Sequence, residues 1–275
     1  MLLVSLAVHP VEVVGVGATT SETRQDVAAT EEPLEIRLDN IPFIVTMRTP
    51  GADRELAAGF LLAERIIDGP DDLGTIQHCT DPDAAAGNVL NVTLTGDAVL
   101  RAREALLHRR AVQATSACGI CGRQSIDDLM TGIAPVAMTW SVSKDVITRL
   151  PDRLRASQSA FDATGGLHAA GLFDRTGGLV AVAEDVGRHN AVDKVVGSQL
   201  LMEQFPLSER ILFVSGRTSF EIVQKAVAAR VPVVAAVSAP TSLAIDLARQ
   251  AGVTLLGFVR GDSFNIYATP GRIEL

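Results

Sequence analysis

Two cysteines three positions apart, Cys118 and Cys121, are the residues of this chain best suited to chemistry. They lie in the stretch TSACGICGRQSIDD, residues 115–128, and a glycine follows each of them. A cysteine thiolate acts as a nucleophile, as a redox group and as a metal ligand. The pair is therefore compatible with a persulfide carrier, a redox couple or a zinc site.

A zinc site would need more ligands than this pair provides. Structural zinc takes four nitrogen or sulfur ligands, often from two CxxC pairs. The third cysteine, Cys79, lies in a strand-like run and is expected in the core; a mixed site with His168 and His189 remains open. Zinc deaminases place His-x-Glu before Pro-Cys-x-x-Cys, whereas this chain has no His-x-Glu and carries Ala117 before the first cysteine. Deamination is therefore disfavoured.

The surroundings of the cysteines differ from those of a thioredoxin-like redox pair, which begins a helix directly after a strand. Here the pair comes about four residues before the Ser-x-x-Asp capping pattern of residues 125–128. Arg123 and the helix start would favour the thiolate. Cys118 would then accept sulfur as a persulfide, and Cys121 would assist its release by thiol exchange. The residues alone give carrier, redox and zinc chemistry equal weight.

The last hundred residues alternate strands and helices, which predicts parallel strands joined by right-handed crossovers. Ligands bind at the carboxyl ends of such strands, where helix N-termini suit anions such as phosphates. Four candidate stretches follow predicted strands: residues 184–190, 215–219, 238–242 and 260–263. Each of them could equally be a plain helix cap or turn. Asp193 and Lys194, further along the first helix, are expected to form a solvated pair.

The N-terminal half is predicted to hold a β-hairpin over residues 34–47, a helix starting at Asp53 and further strands near residues 73–112. Residues 17–33 are small and polar and are expected to be flexible or to lie at a strand edge. A helical segment at residues 143–160 joins this half to the rest. We therefore predict an N-terminal α+β subdomain over residues 1–140, ending in the CxxC loop, and an α/β core over residues 141–275.

Composition narrows the class of protein. The chain has 275 residues, 47% of them apolar and 20% charged, and a net charge of −8. Because a duplex-binding surface must be basic, the charge argues against a nucleic-acid partner. Three cysteines do not make a disulfide framework. The apolar N-terminus stops at His9-Pro10, which predicts an edge strand, no membrane span and a cytoplasmic protein.

Six motifs in order make the chain resemble the formate dehydrogenase accessory sulfurtransferases, the FdhD family, over about residues 32–272. One departure is Arg65, where the family usually has glycine. The motifs are RTPG at 48–51 with the following ELAAGFLLAE, SACGICG at 116–122, TGGLHAA at 164–170, EDVGRHNAVDK at 184–194, SGRTSFEIVQK at 215–225 and GFVRGDSFNIY at 257–267.

The resemblance implies a cytidine-deaminase-like three-layer α/β core with a largely parallel sheet, usually in a homodimer. It implies a sulfurtransferase that takes persulfide sulfur from a cysteine desulfurase. The sulfur passes to the molybdenum or tungsten bis(molybdopterin guanine dinucleotide) cofactor, bound as a substrate, for formate dehydrogenase as the client. No permanent metal is expected. A cofactor chaperone that carries no sulfur, or a zinc-stabilised nucleotide-binding module, is the alternative.

The resemblance also assigns residues by motif. It places the persulfide on Cys118, with Cys121 as helper, and lines the guanine dinucleotide with residues 258–263. The sheet-edge motifs add hydroxyls, histidines and arginines for the phosphates. The predicted cofactor-binding residues are Phe258, Val259, Arg260, Gly261, Asp262, Ser263, His168, Arg188, His189, Ser215, Arg217, Thr218 and Ser238.

Overall fold

A four-stranded sheet and a six-stranded sheet, built from successive halves of the chain, form the two bodies of the fold in a computed structural model. The structure describes residues 6–79, 87–111, 134–137 and 139–275. The CxxC loop with Cys118 and Cys121, and the predicted cap at residues 125–128, lie outside the described residues. The proposed boundary at residue 140 stays a prediction.

The first body is a sheet with strand order β4-β3-β6-β5 and two helices. In β3, Leu34, Ile36 and Leu38 are buried while their neighbours are partly exposed, which is the alternation expected of a half-buried strand. The predicted hairpin is confirmed, and it turns at Asp39 and Asn40, which both have positive φ. The elements are β3 (Glu32–Leu38), β4 (Ile41–Arg48), α1 (Asp53–Ala63), β5 (Leu73–His78), β6 (Val89–Leu94) and α2 (Ala98–Ala111).

A separate antiparallel hairpin precedes this sheet. Strand β1 (Val8–Val16) pairs along its whole length with β2 (Ser21–Ala29). It overlaps the edge strand predicted for the apolar N-terminus, which stops at His9-Pro10, only over residues 8–10. Two alternatives were predicted for residues 17–33, a flexible stretch or a strand edge, and the second is found over residues 21–29, because β2 is an edge strand of a two-stranded sheet. Strand β2 begins with SETRQD, all polar, so its sequence lacks the apolar alternation by which strands are usually found.

The second body is a mixed sheet of order β13-β12-β11-β10-β8-β9. Strands β10, β11 and β12 run parallel to one another, whereas β8 pairs antiparallel with both β10 and β9, and β13 pairs antiparallel with β12. The prediction of a largely parallel sheet is wrong, because β8–β9 and β12–β13 are hairpins that no helix connects. The strands are β8 (His168–Phe173), β9 (Leu179–Asp185), β10 (Ile211–Val214), β11 (Val233–Ala236), β12 (Thr254–Arg260) and β13 (Ser263–Ala268).

Helices cover both faces of this sheet, as an α/β fold requires. Helix α3 (Lys144–Arg155) packs on one face through Ile147, Leu150 and Leu154. Three helices pack on the other face, inside a hydrophobic core that continues into the first sheet. They are α5 (Arg188–Leu201), α6 (Phe220–Ala228) and α7 (Ser242–Ala251); a short helix α4 (Ser159–Thr164) and a small pair of strands, β7 (Val142–Ser143) with β14 (Ile273–Glu274), complete this body.

Arg65 has a left-handed backbone, with φ of 59°, just after α1. This is the position at which the resembling family usually carries glycine, the residue that adopts such a φ most easily. The turn is therefore kept, at a cost in backbone strain of roughly 1 kcal/mol or more.

Candidate functional site

The carboxyl ends of β9, β10, β11 and β12 meet at one edge of the six-stranded sheet, as predicted from the sequence. The amide of Ser215 donates to the Ala169 carbonyl, and Ser215 Oγ accepts from the Ala169 amide at 2.9 Å. Further along the edge, the amide of Phe258 donates to the Ser238 carbonyl at 3.2 Å. These bonds fix the candidate stretches side by side.

The β12–β13 connection contains residues 258–263. It is a hairpin turn, not the start of a helix as the sheet-edge prediction assumed. Phe258 has φ of 54°, an uncommon conformation for a bulky residue, and the residue is 38% exposed. The guanidinium carbon of Arg260 lies 5.7 Å from the centre of that ring, while Arg260 Nε donates to the Val237 carbonyl. An exposed aromatic face beside a cation therefore stands at the sheet edge.

The other residues of this turn differ in exposure. The side chain of Val259 is fully buried in the core on the α3 face, whereas Gly261 and Asp262 are exposed. Ser263 donates from its hydroxyl to the Arg260 carbonyl at 3.3 Å and so closes the turn.

Two polar groups at this edge are buried without a hydrogen bond within the described residues: Arg188 Nε and the Thr218 hydroxyl. Thr218 is fully buried, and its backbone links the ends of two strand–helix connections through the Ala239 carbonyl and the Thr241 amide. Arg217, beside it, is exposed. Because buried polar groups normally have partners, these two are candidates for contact with a ligand.

The histidines lie close together but in different electrostatic surroundings. Burial lowers the pKa of His168, and the positive charges of Arg188 and His189 lower it further. His189 Nε2 lies 2.7 Å from a carboxylate oxygen of Glu221 and 3.1 Å from Ser219 Oγ. Accepting this hydrogen bond holds the pKa of Glu221 below its usual value. The site thus contains one histidine held neutral and one paired with an anion.

A buried polar network, unforeseen from the sequence, supports this edge from below. The Asp185 carboxylate accepts from the amides of Thr49 and Gly187 and from the Asn190 side chain, and it pairs with Lys194 at 2.7 Å. Lys194 also donates to the Thr49 carbonyl at 2.8 Å. The network ties the N-terminal RTPG motif to the first turns of α5.

The expectation of a solvated Asp193–Lys194 pair is wrong, since both side chains are buried and they pair with different partners. Asp193 binds Lys225 Nζ through both carboxylate oxygens, at 2.6 and 2.8 Å. Burial raises the pKa of Asp193 to about 6, although the neighbouring Lys225 opposes this shift. The signal in the sequence was weak: α5 carries few charges, as a helix buried on all sides does.

Arg48 fixes the start of the loop of residues 49–52, which contains Thr49. Its guanidinium is buried and donates to both carboxylate oxygens of Asp53, at 2.9 and 3.0 Å. It also donates to Glu32 at 3.2 Å and to Asn88 at 2.9 Å. A bidentate arginine–carboxylate pair has a fixed geometry, so the loop of residues 49–52 is held from both sides.

Among the described residues, two cavities open beside the histidines, one at His168 and one at His189. The first, called the edge cavity, has a volume of about 660 Å³, and the second, called the interhelical cavity, about 370 Å³. The edge cavity is lined by Leu154, Gln158, Phe161, His168, Phe213 and Ser215. The interhelical cavity lies between β4 and α1 on one side and α5 and α6 on the other, and its polar lining includes His189, Asn190, Asp193, Glu221 and Lys225.

Neither a metal centre nor a membrane span is found in the part of the chain that the structure describes. No group of three metal-binding side chains comes together among those residues. No helix among them is long and apolar enough to cross a bilayer. Cys79 has a free, half-buried thiol just after β5.

Comparison with known proteins identifies the family. The family model described as FdhD/NarQ matches residues 29–274. The chain belongs to the FdhD/NarQ family. The resemblance drawn from the six motifs is therefore confirmed.

Curated relatives match over nearly their whole length. A protein of Streptomyces coelicolor is 51% identical over 257 residues, which are 92% of this chain and 91% of the relative. One of Anaeromyxobacter dehalogenans is 51% identical over 258 residues, covering 91% and 90%. One of Mycobacterium bovis is 45% identical over 259 residues, covering 91% and 93%. All three bear the name sulfur carrier protein FdhD.

A solved structure shares the fold. It is a crystal structure described as a formate dehydrogenase accessory protein from Desulfotalea psychrophila, with a TM-score of 0.77 and 23% identity. The match covers 98% of this chain and all of that chain. The α/β fold of this FdhD/NarQ family member is thus found in an experimental structure.

Proposed function

We propose that this protein is a cytoplasmic sulfur carrier for formate dehydrogenase, acting as a sulfurtransferase. It takes sulfur from a cysteine desulfurase as a persulfide on Cys118. It delivers the sulfur to the molybdenum bis(molybdopterin guanine dinucleotide) cofactor, bound as a substrate at the sheet edge. The observation that carries the proposal is the match to sulfur carrier relatives at about half identity over 92% of the chain.

The geometry of the edge suits a guanine dinucleotide. The exposed Phe258 ring, backed by Arg260, offers a stacking face for a base. Arg188 Nε and the Thr218 hydroxyl, which have no hydrogen-bond partner among the residues that the structure describes, are donors suited to phosphate oxygens. Helix α5, which is fourteen residues long, begins at this edge, and the backbone dipole at its N-terminus favours an anion.

The proposed transfer balances through the two loop cysteines. Cys121 attacks the Cys118 sulfur of the persulfide, the bond to the terminal sulfur breaks, and a Cys118–Cys121 disulfide forms. The terminal sulfur is reduced to sulfide by the two electrons that the cysteine sulfurs lose. Hydrogen sulfide, which keeps the persulfide proton and the Cys121 proton, is then available to the metal of the bound substrate. A thiol reductant restores the cysteines.

The experiment is formate dehydrogenase maturation in cells that lack the endogenous protein. Cys118→Ala is expected to abolish maturation while leaving binding of GDP, used as the probe of the nucleotide site, unchanged. The control is Cys79→Ala, which removes the remaining thiol and is expected to leave maturation intact. Full maturation by Cys118→Ala together with Cys121→Ala would contradict the carrier and support a chaperone that only delivers the cofactor.

The proposal includes two partners and a homodimer. Co-purification with a cysteine desulfurase, and a mass in solution of about twice 29.0 kDa, are the expected results. One tightly held zinc ion per chain in the purified protein would instead support a zinc-stabilised nucleotide-binding module.

A further inference from the structure

The serine at the start of helix α6 does not cap the helix. Ser219 occupies the N-cap position, yet its hydroxyl accepts no hydrogen bond from the helix amides. A serine cap usually stabilises a helix, and Thr241 does form such a bond at the start of α7. Ser219 Oγ lies instead 3.1 Å from His189 Nε2 and 3.3 Å from a carboxylate oxygen of Glu221. Its hydroxyl therefore forms hydrogen bonds with side chains and not with the helix backbone.

Glu221 fixes the orientation of the His189 ring. The carboxylate is buried in the first turn of α6, where the helix dipole favours its charged form, and it lies 2.7 Å from His189 Nε2. His189 Nε2 consequently carries a hydrogen, which it donates to this anion. The other ring nitrogen, Nδ1, has no hydrogen-bond partner among the described residues. A histidine bound to a carboxylate by one nitrogen has the other available for proton transfer.

The His189 ring, 23% exposed, lines the interhelical cavity at the junction of the two bodies of the fold. The ring is thus accessible from a cavity and is not sealed in the core. The charged and titratable groups that surround it come from every neighbouring element: Arg188 and Asp193 of α5, Glu221 and Lys225 of α6, Glu64 after α1, Glu31 before β3 and His168 of β8.

We propose that His189 is the proton-transfer residue of the sulfur delivery, with Glu221 and Ser219 as its positioning residues; this rests on the proposed function. Sulfide from the thiol exchange replaces an oxygen ligand on the metal of the bound substrate. The metal–oxygen bond breaks, a metal–sulfur bond forms, and the oxidation state of the metal does not change. Two protons leave the sulfur, His189 Nδ1 passes them to the oxygen in turn, and the oxygen departs as water.

The test separates this step from loading and binding. Three quantities are measured on the full-length protein: persulfide formation by intact mass, GDP affinity, and the rate at which the loaded protein activates formate dehydrogenase. His189→Gln can still donate to Glu221 but cannot exchange a proton. We assign the cofactor contact predicted for His189 to the metal end of the substrate, because the residue lines the interhelical cavity and not the Phe258 end of the sheet edge. The variant is therefore expected to load sulfur and bind the GDP probe normally and to activate at least about 100-fold more slowly.

A second variant tests the positioning residue. Glu221→Gln keeps a hydrogen-bonding group but removes the anion that accepts from His189 Nε2 at 2.7 Å. Activation should therefore slow while persulfide loading and GDP binding stay as in the wild type, and Glu221→Asp, which restores the carboxylate, should recover part of the rate, which a merely structural role would not cause. The matched control is His78→Gln, a histidine 3.6 Å from the Asp53 carboxylate but outside the interhelical cavity, and it should behave like wild type.

Each outcome decides the matter. Activation by His189→Gln at the wild-type rate would overturn the inference, while the carrier function would stand. If that variant lost GDP binding or persulfide loading by as much as it lost activation rate, the inference would also be overturned, because His189 would then be a binding or structural residue. If the wild type itself does not load sulfur, the proposed function fails and the role of His189 fails with it.

Discussion

Gly197 of helix α5 lies directly against the backbone of Glu55 in helix α1. A Cβ atom at position 197 would stand 1.8 Å from the Glu55 carbonyl oxygen, and one at Gly59 would stand 2.0 Å from that of Asp193. Real Cβ atoms do not approach so closely, so only glycine at both positions lets the two helices touch. This contact joins the N-terminal body to the core and buries Asp193 beside the candidate site.

The close contact between helices α1 and α5 predicts a large loss of stability from one added methyl group. Gly197→Ala is expected to lower the free energy of unfolding by about 3 kcal/mol, because backbone cannot move aside as a flexible side chain would. Urea unfolding measures the change. The control is Gly271→Ala, where an added Cβ has no atom within 4 Å, and its effect should stay within about 0.5 kcal/mol. Equal stability of the two variants would contradict the close packing.

The buried ion pair between Arg48 and Asp53 predicts a second effect on stability. Arg48→Ala leaves the buried Asp53 carboxylate without its bidentate partner and should lower the free energy of unfolding by about 3–5 kcal/mol. Arg24→Ala is the matched control, because Arg24 pairs with Asp26 on the surface and should contribute less than about 1 kcal/mol. Similar losses of unfolding free energy in both variants would contradict the burial of the Arg48–Asp53 ion pair.

His168 predicts the sign of a pH effect on stability. Its pKa is lowered in the folded protein, mainly by burial, so the unfolded chain takes up a proton first as pH falls below about 6.5. The contribution to stability is present above this pH and is lost on acidification. The free energy of unfolding should therefore fall less between pH 7.5 and pH 5.5 in His168→Gln than in the wild type. A steeper fall in the variant would contradict the assignment.

Two variants of Phe258 are expected to differ in stability but to lose GDP affinity alike. Its φ of 54° suits glycine, so Phe258→Gly should be more stable than Phe258→Ala by roughly 1 kcal/mol. Both variants lose the ring and should weaken GDP binding by about 1–3 kcal/mol, the usual contribution of one aromatic–base stack. Calorimetry measures the affinity and urea unfolding the stability. Unchanged GDP affinity in both variants would exclude Phe258 from the nucleotide site.

The sequence predicted the elements of the second body well where periodicity was strong. Strands β10, β11 and β12, with the helices between them, have short apolar runs and clear boundaries, and their carboxyl ends meet as expected. The error at residues 260–263 arose because a hairpin and a strand–helix turn use the same small and polar residues. Strand β2 was predicted only as one of two alternatives because it is polar, and it is held by pairing with β1.

The polar network of the site could not be predicted from the sequence. Asp185, Lys194 and Thr49 are up to 145 positions apart, and no local pattern pairs them. Asp193 and Lys194 are adjacent in the chain, yet they face different partners because α5 is buried around most of its circumference. Ser219 followed the sequence pattern of a helix cap, and only the structure shows that its hydroxyl binds His189 and Glu221.

The most direct test of sulfur carriage is the intact mass of the protein after incubation with a cysteine desulfurase and cysteine. The expected result is an increase of about 32 Da, one sulfur atom in the oxidation state of a persulfide, mapped to the peptide of residues 115–123. Cys118→Ala should show no increase, and Cys79→Ala should show the full one. A wild-type protein whose mass does not change, under conditions in which the desulfurase is active, would contradict the proposed function.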